Sequence, residues 1–502
     1  VNDPEPAAAR SPRIRPLLAG AIVFVCSAAV LMLEILAGRI LAPYVGISLE
    51  TYTAIIGTVL AGIAVGAWAG GRAADRIDPH RLIGPVIAVG GVLAFFTVPI
   101  IRYLGDSSGA GGGAAVTLAF CAFFLPAVML SAVTPMMVKL ELHDLDNTGG
   151  IVGRLSGIST VGALVGTFVT GFVLVATTPT RTIINVIGAV LVVLGVALTL
   201  WLSRRDASVT AVIVLTAVGG FTLGAVATEP CQVESAYYCM RVDHDPFRAT
   251  GRILWLDDLE HSYVDLADPT RLQFDYTRSF SDAVATAFPD DGALEALHVG
   301  GGGFTFPRYL AATRPGSQSK VLEIDPAVLD LARDKLGLRT SPALQVKIGD
   351  ARINIRNEPD DSRDLVVGDA FGSLSVPWHL TTREFVEEID RVLRPDGVYV
   401  QNVIDYPSFK FVRSQLATLR ERFEHVAAIA HAPFDESAAG GNVVLLASHR
   451  PIDRERLQQR VVLHGDQLVE GAALDRFIGD APVITDDFAP IDQWLRDDSM
   501  TG

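Results

Sequence analysis

Seven long apolar runs fill the first 230 residues, near 17 to 37, 52 to 70, 82 to 101, 115 to 138, 156 to 177, 182 to 202 and 208 to 228. Each approaches or exceeds the length of about 20 residues that crosses a hydrocarbon core. No water is at hand there to satisfy backbone N–H and C=O groups, so a spanning segment must close its own hydrogen bonds, as a helix does. The first run is too long for a removed signal peptide and lacks a small-residue cleavage site, so it reads as a helix. Small residues recur at four-residue spacing: Gly62, Gly66 and Gly70 in the second run, then Gly153 with Gly157 and Gly162 with Gly166 in the fifth. That spacing predicts seams where helix backbones approach closely. Glu34 and Arg39 are the notable ionisable residues of the first run, placed near one of its ends to pair or to reach the interface.

Past residue 230 charged and polar residues return to ordinary density, so two domains in different solvents are expected. The expected boundaries are an N-terminal tail 1–16, a transmembrane helical domain 17–230, a small β subdomain 231–292, a nucleotide-binding α/β domain 293–450 and a C-terminal tail 451–502. A net charge of −15 excludes nucleic acid as partner, because phosphates demand a basic face. It suits cationic ligands as well as plain solubility. Cys26 and Cys121 lie inside apolar runs and read as packing residues. Cys231 and Cys239 follow the last run and are either free thiols or a disulfide in an oxidising compartment; no histidine cluster or second pair points to zinc, and no metal is expected.

Sidedness is pulled two ways. With the N-terminus cytoplasmic, the inside loops carry Arg10, Arg13, Arg15, Arg72, Arg76, Arg81, Lys139, Arg154, Arg204 and Arg205, against Arg39, Arg102 and Arg181 outside. Seven crossings would then leave the polar half extracytoplasmic, in keeping with the cysteine pair and at odds with a nucleotide supply made in the cytoplasm. The stretch Gly70-Gly71-Arg72-Ala73-Ala74-Asp75-Arg76 resembles a cytoplasmic loop of the major facilitator transporters, but with about half that family's helices a complete transporter is not expected.

In the polar half, Arg252-Ile253-Leu254-Trp255-Leu256-Asp257 alternates as a strand does. Strand and helix patterns then repeat, with strands near 294–299, 319–323, 344–348, 364–369 and 397–403, which predicts a doubly wound parallel sheet of Rossmann type. Runs near 424–430 and 441–447 would complete a seven-stranded methyltransferase-type sheet. Gly300, Gly301, Gly302 and Gly303 end the first of these strands, where the absence of Cβ lets backbone approach a ligand. Glu323 ends the second strand, placed to accept both hydroxyls of a ribose. Asp350, in Gly349-Asp350-Ala351, ends the third and could accept from an adenine amino group. Asp369 ends the fourth.

Glu234-Ser235, Leu256-Asp257, the glycine run, Leu322-Glu323-Ile324-Asp325, Gly349-Asp350-Ala351, Asp364-Leu365-Val366-Val367-Gly368-Asp369 and Leu380-Thr381-Thr382-Arg383-Glu384-Phe385 together resemble the spermidine synthases, the polyamine aminopropyltransferases. The whole chain resembles bacterial fusions of such a domain to a multi-helix membrane domain. The resemblance implies that Gly300, Gly301, Gly302, Glu323, Asp350 and Ala351 hold an adenosyl donor, decarboxylated S-adenosylmethionine or S-adenosylmethionine, and that Asp369 is the proton acceptor. It also implies direct displacement at the carbon beside a sulfonium, a leaving group that needs no metal. The protein must then align donor and amine and take a proton from an ammonium of pKa near 10.

The departures from the family pattern fall on the acceptor side. Gly303 stands where the family has an aspartate and Phe304 where it has a glycine; Ala370-Phe371-Gly372-Ser373 replaces a second aspartate and a proline. His261 replaces a glutamine, and a tyrosine–histidine pair reads Tyr276-Thr277, making His261 and Tyr276 acceptor-side candidates. Phe304, Phe306 and Trp378 predict a more apolar cavity, and His379 lies on the loop expected to cover it, as a base or as a satisfied loop histidine. The leading reading is a membrane-bound aminopropyltransferase-like transferase of the bacterial plasma membrane. Its expected partners are the lipid bilayer and a small amine or apolar acceptor, and it would pair as a homodimer. An S-adenosylmethionine-dependent methyltransferase acting on an apolar acceptor, and a non-catalytic extracytoplasmic binding module that keeps the fold, stay open beside it.

Overall fold

The computed structural model describes residues 14–46, 49–105, 112–142, 147–202, 207–226, 230–372, 376–431 and 440–495. Arg10, Arg13, Arg204, Arg205 and Ser373, and most of the N-terminal tail, lie outside the described residues. The chain divides into two compact units between Pro230 and Cys231.

Among the described residues, six helices of the first unit are long and apolar enough to cross a membrane: Pro16–Val45, Leu49–Arg76, Pro79–Gly105, Gly113–Glu141, Thr148–Thr177 and Thr180–Leu202. The seventh expected span is also helical, Ala207–Val226, but its apolar stretch Thr210–Gly224 is shorter. The glycine seams differ in what fills them. A Cβ on Gly66 would sit 2.4 Å from the Val128 carbonyl oxygen and one on Gly70 2.5 Å from that of Ala132. Gly162 and Gly166 meet the Phe24 and Ala28 carbonyls as closely, at 2.5 and 2.6 Å. Gly153 and Gly157 do not form the expected seam: among the described residues nothing lies within 4 Å of a Cβ at either. Arg39 donates from Nε to Thr180 Oγ1 at 3.3 Å.

The second unit begins with a four-stranded antiparallel sheet, β1 (Val233–Glu234), β2 (Cys239–His244), β3 (Gly251–Leu256) and β4 (Leu259–Asp265), in that order. Cys231 and Cys239 are disulfide-bonded across the start of this sheet. The helix Asp275–Ala287 follows, amphipathic because Tyr276, Phe280, Ala283 and Val284 recur on one face, and all four are buried. It packs into the core of the larger sheet, so that sheet's layer starts before residue 293.

The larger sheet contains β5 (Glu295–Val299), β6 (Gln318–Glu323), β7 (Leu344–Ile348), β8 (Arg363–Gly368), β9 (Leu393–Asp405), β10 (His425–Ala430), β11 (Gly441–Ser448) and β12 (Gln467–Val469). Its order is β12-β10-β11-β9-β8-β5-β6-β7. β7, β6, β5, β8 and β9 run parallel, and β11, β10 and β12 are added antiparallel. The sheet has an eighth strand, β12, drawn from the segment expected to be a tail. That segment is part of the fold: Leu474, Ile478, Ile484 and Ile491 are buried in the core with Phe385 and Phe411. β5 pairs with β6 on one side and β8 on the other, so the chain reverses its winding there and opens a crevice at the carboxyl ends of those strands.

Candidate active site

The turn after β5 tolerates only glycine. Gly300 has φ +96°, and a Cβ there would lie 2.3 Å from the Asp369 carbonyl oxygen. A Cβ on Gly301 would lie 2.9 Å from Glu323 Oε2, and Gly302, at φ +48°, would meet Ser262 Oγ at 2.8 Å. Phe304 closes the turn with φ +55°, a conformation that costs a non-glycine residue about 1–2 kcal/mol. Its ring is fully buried with Met240, Leu254 and Val321, which contributes about 1.5–3 kcal/mol and offsets that strain.

Glu323 is buried beside this turn. Oε2 accepts from the Gly301 N–H and Oε1 from the Asp325 N–H, both at 2.8 Å. Burial pushes its carboxyl up to about 6 although these backbone donors pull it down. Each oxygen keeps acceptor capacity. Asp350 caps the short helix Ala351–Ile355, accepting from the Ile353 N–H at 3.1 Å, and its Oδ2 lies 3.3 Å from His379 Nε2.

Asp369 is held from two directions. Oδ2 accepts from the Tyr276 hydroxyl at 3.1 Å and Oδ1 from Asn402 Nδ2 at 3.0 Å. Burial again dominates, raising this carboxyl to about 6 against the pull of those two donors. His261 Nδ1 lies 3.3 Å from Ser262 Oγ, and desolvation holds its imidazole down at about 4, so it is neutral near pH 7.

One cavity of about 210 Å³ gathers most of these groups: Gly300, Gly301, Gly302, Glu323, Asp350, Ala351, Asp369, His261 and His379 all line it. Tyr276 is the exception. It reaches Asp369 from the far side and lines a second cavity of about 300 Å³, with Ser279, His431 and Asp466. The expectation that Phe304, Phe306 and Trp378 make the cavity apolar is corrected. Phe304 and Phe306 are buried in the cores beneath it, and Trp378 is half exposed and outside its lining. The apolar wall comes from Tyr237, Tyr238, Leu256, Leu322, Phe371 and Leu380. No lysine or arginine is among the described lining residues. Arg308, the one arginine close in sequence to the glycine turn, donates instead to the Leu336 carbonyl at 2.7 Å. Among the described residues no group of three His, Cys, Asp or Glu side chains is arranged to hold a metal ion.

Four residues at the site escape sequence reasoning. Asn402 is a buried polar residue near the end of β9, where its Nδ2 serves Asp369 while its Oδ1 has no hydrogen-bond partner among the described residues. Ser262 accepts from the Gly303 N–H at 2.9 Å and so ties β4 to the turn. The adjacent Tyr237 and Tyr238 carry no signal in sequence that would aim them at a nucleotide site.

Residues 297–401 match a family model described as a methyltransferase domain. The chain is 34% identical over 129 residues to a polyamine aminopropyltransferase of Vibrio vulnificus, covering 25% of this chain and 42% of that protein. It is 27% identical over 408 residues to polyamine aminopropyltransferase 2 of Streptomyces coelicolor, covering 77% and 73%. At 77% of the chain, this second match runs beyond the unit that starts at Cys231 and into the helical one. The chain thus spans less than half of the first relative and about three quarters of the second. A crystal structure of a probable spermidine synthase from Corynebacterium glutamicum is 28% identical with a TM-score of 0.47, covering 50% of this chain and 94% of that one.

Proposed function

We propose that this chain, a member of the polyamine aminopropyltransferase family with a set of membrane-length apolar helices at its N-terminal side, transfers an aminopropyl group from decarboxylated S-adenosylmethionine to an amine. The observation that carries the reading is the charge of the first cavity: three carboxylates, Glu323, Asp350 and Asp369, and no lysine or arginine among its described lining residues. An adenosyl group fits this cradle, since Gly300, Gly301 and Gly302 line it without side chains and Glu323 retains acceptor capacity for a ribose diol. A donor that keeps its carboxylate would find no cationic partner there, whereas a cationic aminopropyl tail would find carboxylates.

The donor supplies a carbon activated by its sulfonium; amine nitrogen bonds to that carbon, the carbon–sulfur bond breaks, and a neutral thioether leaves. Asp369 would take the proton from the amine. Near pH 7 most of a carboxyl at about 6 is ionised, and it is basic enough to share in the proton transfer. Tyr276 and Asn402 fix its two oxygens. His261, being neutral, adds no competing cation, and His379 links the covering turn Trp378–Leu380 to Asp350.

The second cavity, whose lining residue Tyr276 is hydrogen-bonded to Asp369, is the proposed entry for the acceptor. Asp466 is nearly fully buried there, accepting from Ser279 Oγ at 2.7 Å with His431 Nδ1 at 3.1 Å. It would replace the acceptor-side carboxylates missing after Asp369 and hold a distal positive charge. A multi-pass location in a bacterial plasma membrane, contact with lipid, and a homodimer belong to the same proposal.

The test is to incubate the full chain, in detergent or nanodiscs, with decarboxylated S-adenosylmethionine and a panel of amines, and to assay 5′-methylthioadenosine and the extended amine. Transfer that is lost in Asp369→Asn supports the reading; transfer that survives intact in that variant removes the proposed base. A second reading, methyl transfer from S-adenosylmethionine, is favoured by the methyltransferase-domain match. It would show as a methylated product and preferential binding of the carboxylated donor.

A further inference from the structure

The Cys231–Cys239 disulfide joins residues eight positions apart, and the loop it closes is a wall of the donor cavity. Tyr237 and Tyr238, inside that loop, both line the cavity together with Glu323 and Asp369. The loop is tied down at three further points. The Tyr238 hydroxyl donates to the Phe371 carbonyl at 2.8 Å, on the segment just after Asp369. Ser235 Oγ accepts from the Tyr237 and Tyr238 N–H groups, each at 3.0 Å, and donates to Asp325 Oδ2, whose own N–H binds Glu323. The Cys239 N–H donates to Asp257 Oδ1 at 3.0 Å. One short covalent ring therefore carries two aromatic walls of the cavity, a contact to the segment after the proposed base, and a bond to the residue beside the proposed ribose acceptor.

We propose that the disulfide is a positioning element of the donor site, so that the thiol–disulfide state of Cys231 and Cys239 sets affinity for the adenosyl donor. The proposal rests on the donor-site reading above. β1 is only two residues long, pairing through Val233 with Met240 and Glu234 with Cys239. Without the covalent closure, that ladder and the side-chain hydrogen bonds of Ser235, Tyr238 and Asp257 must hold the loop alone, against on the order of 1–2 kcal/mol of backbone entropy for each residue fixed. Cys231 is half-buried and Cys239 buried, so a dithiol reductant meets the Cys231 sulfur first. Thiolate attack forms a mixed disulfide with Cys231 and releases Cys239 as a thiol. The reductant's second thiol then closes its own disulfide, leaving two cysteine thiols after transfer of two electrons and two protons. Asp369, with its own partners Tyr276 and Asn402, lies outside this ring and keeps its chemistry. Opening the loop should thus raise the donor Kd and KM with little change in kcat. The expected rise is roughly tenfold to fiftyfold, the upper value set by the closure entropy of so short a loop.

The experiment titrates the full chain in nanodiscs with decarboxylated S-adenosylmethionine and, separately, 5′-methylthioadenosine, in oxidised protein, in protein reduced by a dithiol, and after reoxidation. The Cys231→Ser, Cys239→Ser double variant and Tyr238→Phe are titrated alongside. Expected are a weaker Kd on reduction, recovery on reoxidation, a double variant that is weak and indifferent to reductant, and an intermediate Tyr238→Phe. A change in kcat at unchanged donor KM would contradict a positioning role. Equal affinity in oxidised and reduced wild-type protein overturns the proposal and leaves the donor site standing. If oxidised protein binds neither probe, the donor-site reading falls and takes this proposal with it.

Discussion

Replacing Tyr276 by phenylalanine should move the pH dependence of the reaction, by an amount the Asp369 environment sets. Its carboxyl stands at about 6, raised by burial and restrained by the hydrogen bonds from Asn402 and Tyr276. The base must be ionised to accept a proton, so activity is present above this value and lost as pH falls through it. At pH 5 about one carboxyl in ten is ionised, giving roughly a tenfold loss relative to pH 8. An ordinary aspartate near 3.9 would still be more than about nine-tenths ionised at pH 5. A hydrogen bond to a charged group contributes about 1.5–3 kcal/mol, and one pH unit corresponds to about 1.4 kcal/mol, so losing the Tyr276 donor should raise the acid limb by about 1–2 pH units. Because Tyr276 borders the second cavity, water can replace part of that bond, and the lower end is expected. The assay is kcat at saturating donor and amine, followed by thioether release from pH 5 to 9.5, because kcat/KM for the donor would also carry the Glu323 carboxyl at about 6. Wild type should turn near pH 6 and Tyr276→Phe near 7, with plateau rates at high pH nearly alike. A uniform drop at every pH would make Tyr276 a packing residue, and a wild-type limb near 4 would refute the account of Asp369.

Glu323→Gln should weaken donor binding by about tenfold to a hundredfold, because a charged acceptor near a diol is lost and only one of the Gly301 and Asp325 N–H groups, which now use separate carboxylate oxygens, keeps a carbonyl partner; calorimetric titration measures it, and an unchanged Kd would remove the ribose assignment. Asp466→Asn should raise the acceptor KM for diamines while sparing monoamines and donor Kd, and equal loss for both amine classes would argue against a distal-charge role. In the helical unit, Gly66→Val should collapse the yield of monodisperse protein in size-exclusion chromatography, since its Cβ would lie 2.4 Å from a backbone oxygen, whereas Gly153→Ala and Gly157→Ala should purify like wild type. Similar behaviour of all three would contradict the packing described for the second helix.

What the sequence made legible follows from the range of the physics involved. Strand ends could be read because β5, β6 and β8 each finish in a short stretch of buried, mostly apolar residues closed by glycine or an acid, a local pattern that puts Gly300, Glu323 and Asp369 on one edge of a parallel sheet. The partners of those residues were not legible, because they arrive from far along the chain. Tyr276 is 93 positions from Asp369, Asn402 is 33 away, and Ser279 finds Asp466 across 187. No periodicity encodes such meetings. The same reasoning explains why Phe304 misled: an aromatic residue in a glycine-rich loop looks like a cavity wall, yet the small sheet of β2, β3 and β4 covers it, and only the sheet's placement reveals that. It also explains the C-terminal segment, whose short, mixed pattern reads as a tail. β12 is three residues long and gains its stability from pairing with β10 and from Leu474 and Ile478 entering an existing core. A segment held mainly by non-local contacts has little local signature, and that segment places Asp466 at the second cavity. The proposed acceptor contact therefore rests on the part of the sequence least able to announce it, while the proposed donor cradle rests on the part most able to.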